Sequence, residues 1–222
     1  MFPIRDNLPT RRFAWVTAAL IAVNVLAFLA ELLWMAEGTL DQAIYSMGVV
    51  PYEVTHTFSL QVAASFLTSI FLHGGFMHIA SNMLYLWIFG NNVEDSIGRL
   101  RFLLFYLFCG FAATGAQVFV QPNVQVPTIG ASGAIAGVLG AYILMFPRAR
   151  IDTVLFLWRF IRIVQLPAIV VLGLWFVLQL LSGLLSFGLA ATGGIAYFAH
   201  IGGFVVGMAL GPLLRRRERT WL

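Results

Sequence analysis

Lysine is absent from the chain, and charge of either sign is scarce. Charged residues make up 10% of the sequence, and all 13 basic residues are arginines. With 60% hydrophobic residues, a domain of this size cannot hide its apolar surface from water, which excludes an ordinary soluble fold. Cysteine is nearly missing too. Cys109 stands alone in an apolar run, so no disulfide can form within the chain and redox chemistry does not assign a compartment. Internal repeats and low-complexity tracts are lacking. The net charge of +4 does not make a nucleic-acid binder, because the arginines flank apolar runs and form no continuous basic face. What is abundant is glycine, 21 residues of it, which suits close helix packing in lipid.

Apolar runs at 13–35, 75–91, 100–120, 127–146, 164–187 and 193–213 are each long enough to cross about 30 Å of hydrocarbon. The expectation is an all-α membrane protein, a bundle of six transmembrane helices. The first run is too long for the apolar core of a signal peptide and reads as a retained span. The piece from Leu60 to Leu72 is too short to span comfortably and reads as an interfacial or re-entrant segment between the first two helices. Residues 1–12 then form an N-terminal segment, 13–213 the membrane domain and 214–222 a basic tail. The short N-terminal segment argues against an extra soluble domain ahead of the spans.

The arginines fix the orientation. Arg5, Arg11 and Arg12 precede span one; Arg99 and Arg101 lie between spans two and three; Arg148, Arg150, Arg159 and Arg162 lie between four and five; Arg215, Arg216, Arg217 and Arg219 follow span six. With six spans every one of them falls on the same side, which the positive-inside rule makes cytoplasmic, together with both termini. Adding or removing one helix would scatter them over both faces. The expected location is a prokaryotic cell membrane, with the lipid bilayer as a partner.

Polar residues within spans are costly and mark function by default. Spans two, four and six enter from the outer face. They carry His78 and Asn82, Ser132, and His200 respectively, with His73 at the mouth of span two. At the helical rise per residue, Ser132 and His200 lie roughly 8–10 Å below the outer surface, a depth that Asn82 shares. Each residue alone has a plainer use: a serine bonding its own backbone, a histidine bonded in the interior, and His78 with Asn82 one turn apart joining two helices. Together they match serine hydrolase chemistry. A hydroxyl becomes a nucleophile when a histidine takes its proton, and the resulting oxyanion needs donors. The Ser132 N–H near a helix N-terminus, the Asn82 amide and the His78 ring are the available donors.

Asp6, Asp41, Asp95 and Asp152 all lie in connectors or at helix ends, so the available form is a Ser132–His200 dyad and not a triad. Gly130-Ala131-Ser132-Gly133-Ala134 is not a nucleophile elbow, and no H-E-x-x-H occurs. Three imidazoles, His73, His78 and His200, would suffice for zinc. The reading adopted is nevertheless a site without metal or cofactor. Gly133 and Gly137 on span four, and Gly203, Gly207 and Gly211 on span six, form small-residue faces that would let the two helices nearly touch. Glu94, placed on the cytoplasmic side far from Ser132, reads as structural: a helix cap, a partner of Arg99 or Arg101, or a brace for the turn after span two.

Gly130-Ala131-Ser132-Gly133, Ala199-His200-Ile201-Gly202-Gly203 and His78-Ile79-Ala80-Ser81-Asn82 resemble the signatures of rhomboid intramembrane serine proteases. Gly90-Asn91-Asn92-Val93-Glu94 resembles the family's G-x-x-x-E segment, and His73-Gly74-Gly75-Phe76-Met77-His78 the approach to its second helix. The likeness covers roughly 60–210. It implies Ser132 as nucleophile, His200 as general base, and His78, Asn82 and the Ser132 backbone as the oxyanion hole. It also implies span five as a lateral gate, 36–74 as a loop partly embedded in the outer leaflet, and single-span membrane proteins as substrates, cut near the outer face. One departure stands out. Some members carry a tyrosine one turn after the nucleophile that stacks on the histidine, and here that position is Ala136. Tyr142, Tyr197 and Phe198 are the candidate replacements. The rival readings are a non-catalytic rhomboid-like protein that binds membrane clients, and a small transporter. The first commonly lacks the serine or histidine; the second wants ionisable residues along a full path, whereas the spans hold few beyond Glu31.

Overall fold

The computed structural model describes residues 2–157, 160–186 and 195–216. Arg159, Arg217 and Arg219 lie outside the described residues, as do parts of the fifth and sixth expected spans and most of the basic tail. The elements are β1 (Phe2–Asp6), α1 (Trp15–Glu37), α2 (Leu40–Met47), α3 (Pro51–His56), α4 (Leu60–Thr68), α5 (Phe76–Tyr85), α6 (Asn91–Ile97), α7 (Arg99–Val120), α8 (Ser132–Met145), β2 (Arg150–Leu157), β3 (Phe160–Pro167), α9 (Ala168–Ser186) and α10 (Tyr197–Leu214). A 3₁₀ turn at Ser69–Phe71 extends α4, and a π turn at Leu86–Gly90 joins α5 to α6.

Among the described residues, α1, α7, α9 and α10 are each long and apolar enough to cross a membrane. Leu60–Phe71 and Phe76–Ile97 pass the same test only as a pair, bent by 78°. The chain is therefore a multi-pass helical membrane protein. The helix α8 is apolar but has only 14 residues. Every residue from Gly133 to Ile143 is buried, so α8 is the central post of the bundle and touches little lipid. Large apolar side chains on the other helices face outward, among them Leu26, Leu33, Leu104, Phe108 and Leu184, as lipid-facing surfaces require.

The post is held by backbone contact. A Cβ on Gly203 would run into the Gly133 carbonyl, one on Gly207 into the Gly137 carbonyl, and one on Gly140 into the Phe204 carbonyl. The Cα hydrogens of Gly133 and Gly137 point elsewhere, at Ala113 and Cys109 of α7. The small-residue faces thus build a three-helix junction of α7, α8 and α10, with α10 glycines against α8 backbone.

One element went unread in the sequence: a three-stranded antiparallel sheet, β1-β2-β3. The hairpin β2–β3 fills the connector between α8 and α9 in unbroken register from Arg150↔Pro167 to Leu157↔Phe160. It takes the first four residues of the expected span 164–187, so α9 starts at Ala168, after Pro167. β-Branched residues supply the reason: Ile151, Thr153, Val154, Ile161, Ile163 and Val164 favour a pleated surface over a helix. β1 pairs with β2 and binds the N-terminal segment to the bundle.

The connectors that carry arginine gather at one end. Arg5 bonds Asp152 at 2.9 Å, the Arg11 N–H donates to Asp95, and the Arg216 N–H donates to the Ser96 carbonyl. Glu94 also lies here. Its carboxylate accepts the N–H groups of Val16 and Thr17 at 3.1 and 2.7 Å and the Thr17 hydroxyl at 2.8 Å. It caps α1, whose own N-cap, Ala14, offers no side chain for the purpose. Gly90, one turn earlier, makes the approach feasible, since a Cβ there would press on Thr17.

Candidate active site

The serine stands at the first turn of α8, not several residues inside a helix. The segment before it is extended because it is bonded elsewhere. Thr128 and Val49 exchange backbone hydrogen bonds, and the Gly130 N–H donates to the Ser69 carbonyl at 2.8 Å. Gly130 has φ +120, a conformation open to glycine, and the helix begins two residues later. The Ser132 N–H is one of the helix donors with no partner within the helix. His200 lies in the first turn of α10, beside that end of α8.

The two side chains meet. The Ser132 hydroxyl donates to His200 Nε2 at 2.8 Å. His200 Nδ1 donates to Gln179 Oε1 of α9, also at 2.8 Å. An acceptor at Nδ1 holds the proton there and leaves Nε2 as the basic nitrogen facing the serine. The Trp175 ring, one turn before Gln179, lies 5.9 Å from the His200 ring at 34°. Trp175 is thus the ring beside His200 that the structure shows in the absence of one at position 136, tilted against the imidazole and not stacked on it. Tyr142 is turned away, bonded to Asp6 and packed against Phe89 and Phe146.

His78 and Asn82 project from α5 toward the same point. The Gly74 N–H donates to His78 Nδ1 at 3.2 Å, which makes Nδ1 an acceptor and puts the neutral ring's proton on Nε2. That Nε2 abuts Gly130: a Cβ built on Gly130 would lie 2.8 Å from it and 3.5 Å from Ser132 Oγ. Asn82 is buried, and its Nδ2 has no hydrogen-bond partner among the described residues. His73 sits behind His78, ring centroids 5.1 Å apart. Its backbone N–H donates to the buried Glu31 carboxylate at 3.0 Å, tying the loop before α5 to α1.

Ser132, His200, His78, Asn82, Trp175 and Gln179 line one cavity of about 1000 Å³. It continues past Leu139 and Tyr85 to Phe2 of β1, so its lower part is an apolar cleft bordered by α5 and α9. Gln117 of α7 also borders it and anchors α10, its Oε1 accepting the Ala199 N–H at 3.3 Å. Gln117, Trp175 and Gln179 escaped the sequence reading. For the two glutamines the signal was an amide inside an apolar run, the same kind of signal that exposed Asn82; Trp175 offered none, being one more apolar ring in an apolar run.

Residues 61–217 match the family profile of the Rhomboid domain. RHOMBOID-like protein 4 of Arabidopsis thaliana is 35% identical over 158 residues, 70% of this chain and 35% of that protein. The chloroplastic Rhomboid-like protein 11 of the same plant is 27% identical over 220 residues, 96% of this chain and 70% of that protein. Rhomboid protease GluP of Bacillus subtilis is 48% identical over 75 residues, 34% of this chain and 14% of that protein. The chain thus spans about a third of the first of these relatives. A multi-pass helical bundle, a serine bonded to a histidine at its centre, and a profile match across most of the chain place this protein in the rhomboid family.

Proposed function

We propose that this chain is an intramembrane serine endopeptidase that cuts transmembrane segments of membrane proteins near the outer face of the bilayer. The observation that carries the reading is the 2.8 Å contact from Ser132 Oγ to His200 Nε2. It faces a cavity that also holds two polar side chains with donors to spare. In this reading His200 Nε2 takes the hydroxyl proton as Ser132 Oγ bonds to the scissile carbonyl carbon. The carbonyl oxygen becomes an oxyanion, bonded by the Ser132 N–H, His78 Nε2–H and Asn82 Nδ2–H. Collapse breaks the C–N bond, and His200 gives its proton to the leaving amine. Water then attacks the acyl carbon as His200 takes its proton; the Ser132 Oγ–carbon bond breaks, His200 returns the proton to Oγ, and the new carboxyl end of the substrate leaves. No metal or cofactor is needed in these steps.

The membrane arrangement proposed with it has six spans, with α4 and α5–α6 flanking a bend, α2 to α4 embedded in the outer leaflet, and α8 as a short fourth span. Helix α8 is about 21 Å long by its rise, roughly 9 Å short of the hydrocarbon thickness. If its inner end reaches the cytoplasmic boundary, that deficit sets the depth of Ser132 below the outer surface. Exposed Phe58 and Leu60 within the 36–74 stretch suit contact with lipid. The arginine-bearing end is cytoplasmic, and the cleft between α5 and α9 is the lateral way in for a substrate helix. Residues 13–213 form the membrane domain, flanked by cytoplasmic segments at 1–12 and 214–222.

Purified protein in proteoliposomes should cleave a single-span reporter, and a serine-directed fluorophosphonate should label Ser132. Ser132→Ala and His200→Ala should abolish cleavage with insertion and folding intact. Cleavage retained by either variant rules the reading out. A well-folded wild type that neither cleaves nor labels would instead be a protein that binds membrane clients without cutting them.

A further inference from the structure

The group bonded to His200 Nδ1, Gln179, lies on α9, a helix separate from the one that holds His200 and the one that holds Ser132. Helices α8 and α10 are locked by backbone contact through Gly140, Gly203 and Gly207, so the distance between serine and histidine is built into the bundle. Helix α9 is attached differently. Its buried residues are Ala168, Val171 and Leu172 at one end and Gly183 near the other. Between them it meets α10 through side chains: Phe176 stacked on Phe204 at 4.5 Å, Trp175 beside His200 and Phe204, and Gln179 bonded to His200. A Cβ on Gly183 would make only ordinary contact with Ile201, Tyr197 and Phe198. The start of α9 is fixed, its Ala168 and Ile169 N–H groups donating to the Ala149 and Pro147 carbonyls, but beyond it the helix can tilt against α10 by moving side chains, without prising apart two backbones.

Histidine has two neutral tautomers, and only the one protonated at Nδ1 can accept the serine proton at Nε2. Among the described residues, the His200 ring is hydrogen-bonded to Ser132 and to Gln179. We propose that Gln179 is the positioning residue of this site. By accepting from Nδ1, it holds His200 in the reactive tautomer and plane, and because it rides on α9, the base is competent only while α9 is docked on α10. A substrate entering beside α9 would loosen Gln179 first and re-form its bond once seated. The proposal rests on the Ser132–His200 reading and assigns to a neutral amide the orienting task that a carboxylate performs in a triad.

Two measurements test it. In the first, the pH dependence of kcat/KM for a single-span reporter is compared among wild type, Gln179→Leu and Gln179→Glu. Leucine removes the acceptor and should lower kcat at least about tenfold, with KM little changed. Glutamate keeps the acceptor and adds charge, so it should retain activity while the acid limb moves up by about one pH unit or more. A Gln179→Leu enzyme with wild-type kcat and profile overturns the proposal, as does a Gln179→Glu enzyme with an unmoved acid limb. In the second, ¹⁵N-histidine spectra of the intact protein, assigned by subtraction with His200→Ala, should report the Nδ1–H tautomer for His200. A dominant Nε2–H form overturns the proposal whatever the activities. Failure of the underlying reading looks different: Ser132→Ala would still cleave, or Ser132 would not label in wild type.

Discussion

At Asn82 the amide nitrogen is buried with no hydrogen-bond partner among the described residues, although an unmade bond at a buried donor costs roughly 1–3 kcal/mol. A donor kept in that state beside the proposed nucleophile, Ser132, is of use when an oxyanion forms. Asn82→Ala should therefore lower kcat about 10²–10³-fold with little change in KM, read from initial rates on a membrane reporter. A change confined to KM would assign Asn82 to substrate binding. His78 shows how little the residue name decides. The Gly74 N–H on its Nδ1 sets which nitrogen faces Gly130 and Ser132, and with it whether the ring donates or accepts there.

At the scale of elements, the site depends on how closely α8 and α10 approach. Gly207 lies two turns below His200, and a Cβ there would strike the Gly137 carbonyl. Gly207→Ala should wedge the helices apart, lengthen the Ser132–His200 contact and lower kcat, while Gly173→Ala, where a Cβ meets nothing within 4 Å, should leave cleavage unchanged. Cleavage rates of the two variants after matched reconstitution check this. The cap on α1 is a second dependence between elements. Glu94 accepts three hydrogen bonds from Val16 and Thr17 in a buried place. Its loss in Glu94→Ala leaves those donors unpaired and should cost about 3 kcal/mol, measured as a lowered midpoint in denaturant unfolding. The same variant should show a normal dyad in whatever fraction folds, because Glu94 lies at the opposite end from Ser132.

Across the whole molecule, β1 ties the N-terminal segment to the C-terminal end of α8. Asp6 accepts from Asn92 Nδ2 and from the Tyr142 hydroxyl, both at 2.6 Å. Burial raises the Asp6 carboxyl above its ordinary 3.8, an effect only partly offset by the Tyr142 hydrogen bond. Asp152, at the sheet surface, is held below 3.8, chiefly by the Arg5 hydrogen bond. The two act in opposite directions. Above 3.8 and up to its folded value, Asp6 stays protonated in the fold after the unfolded chain has released its proton, so stability falls as pH rises through that window. The Asp152 contribution is complete above 3.8 and is lost as pH falls through its lower folded value. Asp6→Asn should remove the first effect: its advantage in thermal midpoint over wild type should grow as pH rises from 3.8 and then level off. A midpoint difference independent of pH would show that folding does not raise the Asp6 carboxyl.

The sequence by itself determined the solvent and singled out the polar residues that the fold brings together. Scarce charge, apolar runs and arginines confined to alternate connectors called for a multi-pass membrane chain, because a bilayer punishes charge and admits helices. Ser132, His200, His78 and Asn82 were legible for the same reason: polar groups are rare where they are costly. The structure alone decided what depends on contacts between distant segments. The Glu94 cap on α1, the pairing of β1 with β2, and the side chains of α9 beside His200 join residues that no spacing relates. The sheet was hidden because its β-branched residues are also apolar, and apolar runs in such a chain read as helix. Ala136 said only that the usual ring was missing. That Trp175 and Gln179 of another helix flank the histidine instead follows from how α9 leans on α10, a matter of packing geometry that a linear pattern of residues does not encode.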